Sequence, residues 1–177
     1  MTDGRTHSLV PYGVGLAVLA AALHLGWELT HGGVKSHHLL ANPDLPAISN
    51  WWGLLILPGL GWVASRVVAG RARNDDGAVT RAGAGFVGAA MVGIALSAAF
   101  TAGYDSTSSL LFFGVLASGL VLPVYRAEYI FGFVLGMTFV FGSVLPLIAA
   151  CVAAAISAAA GFVIRPAFAS LLRKVWT

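Results

Sequence analysis

The sequence predicts an all-α integral membrane protein: a compact bundle of six transmembrane helices with both termini on the cytoplasmic side. Composition, the spacing of charged residues and the position of basic residues each predict it. Of the 177 residues, 58% are hydrophobic and 10% charged, and the mean hydropathy is +0.86. Soluble domains are about 45–50% apolar and about 25% charged. The composition therefore excludes a water-soluble enzyme, a disordered chain and a nucleic-acid-binding protein.

The positions of the charged residues divide the chain into spans. Asp, Glu, Lys and Arg are absent from 6–27, 45–65, 82–104, 106–125 and 129–164. About 20 helical residues cross a hydrocarbon core of ~30 Å, so each of the first four stretches accounts for one span. The fifth has 36 residues, with Gly142-Ser143 and Pro146 near its middle, which favours a break into two helices. The predicted spans are 9–30, 48–68, 83–103, 107–124, 128–143 and 146–165, with an outer loop 31–47 and a cytoplasmic loop 69–82.

The basic residues predict the orientation of this bundle, because cytoplasmic loops are enriched in Lys and Arg. Nine of the ten fall on one side of a six-span arrangement: Arg5, Arg66, Arg71, Arg73, Arg81, Arg126, Arg165, Arg173 and Lys174. Lys35 is the exception. We therefore expect the protein to lie in the plasma (inner) membrane, with both of its termini in the cytoplasm. The alternative is that the first stretch is a signal peptide cleaved near Ala20–Ala22.

Small residues recur at every fourth position in several spans, which predicts closely packed helices. The third span has Gly85, Ala89 and Gly93 at this spacing, and the fifth has Gly132 and Gly136. Such stripes are common in membrane proteins, so they indicate a compact bundle and no particular activity.

Polar residues cluster at the end of the first span. If its helix continues to Gly32, then His24, Glu28 and His31 lie on one face, at positions i, i+4 and i+7. Two imidazoles and a carboxylate can bind a divalent metal ion such as zinc or iron, and they also suit acid–base chemistry. We expect these three residues to be catalytic, with the same three as metal ligands if a metal is used. A structural His24–Glu28 pair is the competing interpretation.

The predicted topology brings further residues to the same outer side. Asp105, at the turn before the fourth span, is expected to orient the reacting groups, or else to cap its helix. The expected substrate-binding residues line an outward-opening pocket: Trp27, His37, His38, Asn50, Trp51 and Trp52. Glu128 begins the fifth span near Arg126 on the other side, where a structural role is expected.

These features leave three functions open. The first is a membrane-embedded enzyme that uses acid–base, or metal-assisted, chemistry on a lipid-like or isoprenoid-like substrate at the outer leaflet. The second is a small transporter or channel for protons, metal ions or a solute, and the third is a non-catalytic membrane subunit or assembly factor. The expected partners are the lipid bilayer and a lipid-like or small-molecule ligand, with no nucleic acid. The GxxxxGK[ST], HExxH and GxSxG motifs are absent.

Overall fold

Six α-helices follow one another along the part of the chain that the computed structural model describes, residues 9–38, 42 and 44–164. The predicted helical bundle is therefore confirmed, and the long fifth stretch is divided at Gly142 and Ser143. Both termini lie outside the described residues, as do Arg5, Arg165, Arg173 and Lys174. The helices are α1 (Leu9–Thr30), α2 (Gly53–Ala72), α3 (Ala78–Thr101), α4 (Asp105–Val121), α5 (Ala127–Phe141) and α6 (Val144–Ala159).

Several of these helices have the dimensions of membrane spans. Four segments are long and apolar enough to cross a membrane: Leu9–Thr30, Asn50–Ala72, Ala78–Thr101 and Val144–Phe162. Helices α4 and α5 are apolar but have only 17 and 15 residues. Large hydrophobic side chains such as Leu55, Met91 and Leu110 are exposed on the outside of the bundle. An apolar surface of this kind is rare on a soluble monomer and is typical of a membrane protein.

Helix α5 lies at the centre of the bundle, where it packs against α2, α3 and α6. Its closest neighbour is α3, and glycines bring the two backbones together. A Cβ on Gly93 of α3 would lie 2.6 Å from the carbonyl oxygen of Phe133 in α5. Side chains at Gly132 and Gly136 would likewise meet the backbone carbonyls of Phe86 and Ala90. Close approach through small residues is how helices associate in lipid, where burial of apolar area provides little driving force.

Helices α1 and α2 form a second close pair, and a β-hairpin connects them. Strand β1 (Ser36–His38) pairs antiparallel with β2 (Ala47–Ser49), and a 3₁₀ turn (Asn50–Trp52) leads into α2. Gly32 and Gly33 have φ angles of 107° and 97°, which only glycine adopts readily. These two glycines turn the chain out of α1 so that the hairpin lies over the end of that helix.

The bundle has two polar ends. We call the end that contains Glu28, Asn50 and Gly142 the hairpin end, and the opposite end, with Arg71, Arg81 and Arg126, the arginine end. Helix α5 connects them, because Glu128 near its start contacts Arg71 and Gly142 after its last residue lies against Asn50.

Candidate functional site

A buried polar cluster lies at the hairpin end and joins α1 to the start of α2. His24, Glu28 and Asn50 are 1%, 4% and 4% exposed. The Asn50 side-chain amide donates a hydrogen bond of 2.6 Å to Oε1 of Glu28, and Nε2 of His24 lies 3.6 Å from the same oxygen. The other carboxylate oxygen accepts from the backbone N–H of Lys35 at 3.4 Å. The carboxylate is therefore fixed from two sides, whereas His24 Nε2 has no hydrogen-bond partner among the described residues.

The turn between α5 and α6 closes the cluster from the other side. Gly142 has a φ of 68° and a ψ of −171°, a conformation essentially restricted to glycine. A side chain there would also collide with the carboxamide of Asn50. Ser143 is buried beside it, and its hydroxyl has no hydrogen-bond partner among the described residues. The ring of Phe139 lies 5.3 Å from that of His24, centroid to centroid. Sequence reasoning identified this segment only as a helix break, since nothing local indicates that it faces Asn50.

His31 is separated from the other two members of the predicted stripe. Helix α1 ends at Thr30, and the backbone N–H of Gly33 closes the helix by donating to the Glu28 carbonyl at 2.9 Å. The His31 ring folds back along the exposed face, where Nδ1 donates to the Trp27 carbonyl at 2.9 Å. The two rings stack at 3.7 Å. The structure thus brings His24 and Glu28 together and leaves His31 outside the cluster.

The same geometry bears on the expected metal ligands. Two of the three, His24 and Glu28, are adjacent, but the third, His31, is held on the surface by Trp27. Across the described ranges 9–38 and 44–164, no group of three or more His, Cys, Asp or Glu side chains is arranged to hold a metal ion. The cluster therefore consists of one imidazole, one carboxylate and one carboxamide, those of His24, Glu28 and Asn50.

The two histidines of the hairpin have different environments. His38 is exposed, and its Nδ1 donates to the Leu45 carbonyl at 2.8 Å, which ties the two arms of the hairpin together. His37 is half-buried and lies over the cluster. Burial lowers the pKa of His37 below its ordinary value of 6.5, the charge of Glu28 partly opposes this shift, and Lys35 adds to it. His37 is thus neutral when the hairpin is docked at neutral pH.

This pKa predicts that docking of the hairpin weakens in acid. Below pH 6.5 a detached hairpin takes up a proton on His37 that the docked hairpin does not, so protonation favours detachment. Hydrogen exchange of segment 36–49, corrected for the intrinsic rate, should therefore show less protection at pH 5.5 than at pH 7.5. The variant His37→Gln should show a smaller dependence, and what remains comes from His24, which is buried beneath the same segment. An equal loss of protection in wild type and variant would contradict the assignment to His37.

The remaining predicted residues lie around the cluster rather than inside it. Asp105 is exposed in the first turn of α4, and no hydrogen bond or ion pair joins it to His24 or Glu28. Trp27, Trp51 and Trp52 are 57%, 51% and 55% exposed, so their rings face outward. Trp51 and Trp52 belong to an open groove of about 420 Å³ beside Asn50, lined by Ser49, Trp51, Trp52, Leu54 and Leu55. Two of the three expected tryptophans, Trp51 and Trp52, therefore line an apolar surface next to the buried cluster.

Sequence reasoning missed an ion pair at the arginine end. Nη2 of Arg71 lies 2.5 Å from Oε2 of Glu128, and the Glu128 side chain is almost completely buried. The partner expected from proximity in sequence was Arg126, but Arg71 is 57 residues away in the chain. The positive-inside count placed both residues on the same side, and that was the only signal for the contact.

No protein family, curated protein or solved structure matches this chain. The proposals below therefore rest on the contacts, burial and charges of the described residues.

Proposed function

We propose that this protein is a membrane-embedded enzyme that transfers protons through the pair His24 and Glu28, on a lipid-like substrate at the hairpin end. The observation that carries the proposal is the buried His24 Nε2 atom, which has no partner among the described residues and lies 3.6 Å from a carboxylate. A buried polar atom without a partner costs about 1–3 kcal/mol. Such an atom is retained where a substrate or a water molecule supplies the missing hydrogen bond.

The chemistry follows from the positions of the three side chains. His24 accepts a proton through Nε2 from a substrate group, and the nearby Glu28 carboxylate stabilises the imidazolium that results. Asn50 donates to Glu28 Oε1 at 2.6 Å, which holds that oxygen beside Nε2 of His24. The proton then returns from His24 to the product. Histidine suits this cycle because its ordinary pKa lies near neutrality.

The surroundings of the cluster support a lipid-like substrate. The groove beside Asn50 is apolar, and its two exposed tryptophans, Trp51 and Trp52, are typical of the membrane interface. An acyl or isoprenoid chain can lie in such a groove while its polar head reaches the cluster. His24 is buried, so the head enters when the hairpin 36–49 moves. The two glycines at 32 and 33 provide the hinge for that movement.

We propose further that all six helices cross the plasma (inner) membrane, with both termini in the cytoplasm. Consecutive helices of the described chain alternate between the hairpin end and the arginine end, as six crossings require. The positive-inside rule places the arginine end in the cytoplasm, so the hairpin end faces outward. Accessibility of single cysteines introduced at Ser36 and Arg73 to an impermeant reagent in intact cells tests this: Ser36→Cys should react and Arg73→Cys should not.

Lipid profiling tests the enzyme proposal. Membranes from cells that express the wild type are compared by mass spectrometry with membranes that carry Glu28→Gln or His24→Gln. A change in the lipid pool caused by the wild type should disappear in both variants. Asp44→Asn is the matched control, because Asp44 is exposed at the same end and the substitution is the same carboxylate-to-amide change. A lipid change that survives both cluster variants would contradict the proposal.

Transport is the second candidate, and one observation favours it. Among the residues that the structure describes, two carboxylates are buried, Glu28 at the hairpin end and Glu128 at the arginine end, and α5 connects the two ends. Proton relays in membrane proteins use ionisable residues at such positions. Purified protein in liposomes that contain a pH-sensitive dye distinguishes the two functions. Proton flux that is lost in Glu28→Gln would favour transport over catalysis, whereas the enzyme proposal expects no flux above that of empty liposomes.

A further inference from the structure

A cavity of about 280 Å³ opens at the arginine end, between the end of α2, the start of α3 and the residue before α5. It is lined by Arg71, Asn74, Asp75, Ala78, Arg81 and Arg126. Three arginines, one asparagine and one aspartate therefore line a space slightly smaller than the pockets that bind drug-sized ligands. It lies at the opposite end of the bundle from the proposed active site and has no part in the proposed reaction.

We propose that this cavity binds a phosphodiester anion, the headgroup of an anionic phospholipid. Guanidinium groups match phosphate oxygens in geometry and bind them through two parallel hydrogen bonds. Basic pockets between helices near the cytoplasmic surface are sites for anionic lipid headgroups. The arginine donors indicate that the ligand is a phosphate group. Their position at the end of an apolar bundle indicates that this phosphate belongs to a lipid.

The charges of the side chains around the cavity favour a ligand with a single negative charge. Arg71 is paired with Glu128, and Arg81 is paired with Asp75. Arg126 has no ion-pair partner among the residues that the structure describes. The group of five side chains therefore carries one net positive charge, which a phosphodiester with its one negative charge balances. Asp75 remains ionised at neutral pH, because the hydrogen bond from Arg81 lowers its pKa.

The two pairs also hold the donors in place before a ligand arrives. Glu128 fixes Arg71 through Nη2, while the Nε atom of Arg71 is buried without a partner in the described part of the chain. Asp75 accepts from Arg81 and, at 3.1 Å, from the backbone N–H of Gly77. Side chains that are ordered beforehand lose less entropy on binding, so a preformed site binds its ligand more tightly.

Native mass spectrometry of the full-length protein, released from detergent micelles, tests the proposal. The probes are dioleoylphosphatidylglycerol, dioleoylphosphatidylcholine and inorganic phosphate. Phosphatidylglycerol should bind more tightly than phosphatidylcholine, and Arg126→Gln should weaken it about fivefold, the effect of one basic residue at a membrane surface. Arg126→Lys keeps the charge but loses the paired guanidinium donors, so its affinity for phosphatidylglycerol should fall between those of the wild type and Arg126→Gln. Arg73→Gln is the matched control, because Arg73 is exposed at the same end of the bundle, in the connection between α2 and α3, and does not line the cavity.

Each other outcome contradicts a specific part of the proposal. Equal binding of the two lipids, or an Arg126→Gln variant that binds like the wild type, would overturn the site. A loss in Arg73→Gln as large as that in Arg126→Gln would reduce the effect to surface charge. A further outcome is that inorganic phosphate displaces phosphatidylglycerol from the wild type but not from Arg126→Gln. That result would show that the site binds free phosphate rather than a lipid headgroup. Size-exclusion chromatography and thermal unfolding confirm that each variant is folded before binding is measured.

Discussion

Replacing Arg71 by methionine should lower the free energy of unfolding by roughly 3 kcal/mol, because it leaves the Glu128 carboxylate buried without its partner. The Arg71 side chain is 31% exposed and the Glu128 side chain 4%, so the penalty falls at the lower end of the range for a buried pair. The measurement is unfolding of the purified protein in mixed micelles with increasing SDS, followed by circular dichroism.

Substitution of the other partner, Glu128, and a double variant distinguish the loss of the ion pair from the loss of side-chain packing. Glu128→Gln leaves a positive charge that water can reach, so it should cost less than Arg71→Met. The double variant Arg71→Met/Glu128→Leu should recover most of the lost stability, because no uncompensated charge remains. Arg81→Met breaks the exposed pair with Asp75 and should leave stability unchanged. If Arg71→Met and Arg81→Met lower the free energy of unfolding equally, burial of Glu128 does not make its ion pair more important than the exposed one.

Replacing Gly132 or Gly136 by valine should cost about 3 kcal/mol or more, because the added side chain meets a backbone carbonyl of α3. A backbone cannot rotate out of the way as a side chain does, so α3 and α5 must separate. Helix α5 also packs against α2 and α6, and the displacement therefore spreads through the bundle. The same SDS titration measures the loss.

Gly88 supplies the matched control for this prediction. It lies on α3 only two residues from Phe86, but a Cβ there would meet nothing within 4 Å. Gly88→Val makes the same change in helix propensity and side-chain volume, and it should leave the unfolding midpoint close to that of the wild type. A variant of Gly88 as unstable as the variant of Gly136 would show that glycine matters for propensity and not for close approach.

The helices could be predicted from the sequence because each depends on a local property. A stretch of about 20 residues that is mostly apolar and free of charge is recognised as a span from its own composition. The longest stretch is divided at Gly142-Ser143, where the local sequence breaks the helix. The hairpin at 36–49 was not predicted. Its strands are only three residues each, and they are held by contacts such as Asn50 N–H to the Lys35 carbonyl, which no local pattern specifies.

The difference between local and long-range contacts also explains which residues of the candidate site could be predicted. The spacing of His24 and Glu28 places them on one face of any helix, and the structure brings them together. His31 has the same periodicity, but the helix ends before it and the Trp27 carbonyl captures its ring. Arg71 and Glu128 meet although 57 residues separate them, because the order in which helices pack decides the contact. Periodicity predicts which residues are neighbours on one helix, but it does not predict which residues of different helices are in contact.

The length of α4 has a consequence for the lipid around the protein. With 17 residues it extends ~26 Å, about 4 Å less than a hydrocarbon core of ~30 Å. Leu110, Phe113 and Val121 project outward from it, so in the proposed six-span arrangement the mismatch falls on lipid and not on a neighbouring helix. Thinning of the bilayer beside α4 is one response to such a mismatch, at a modest free-energy cost for each ångström. Membranes with shorter acyl chains therefore accommodate this protein with less deformation than thicker ones.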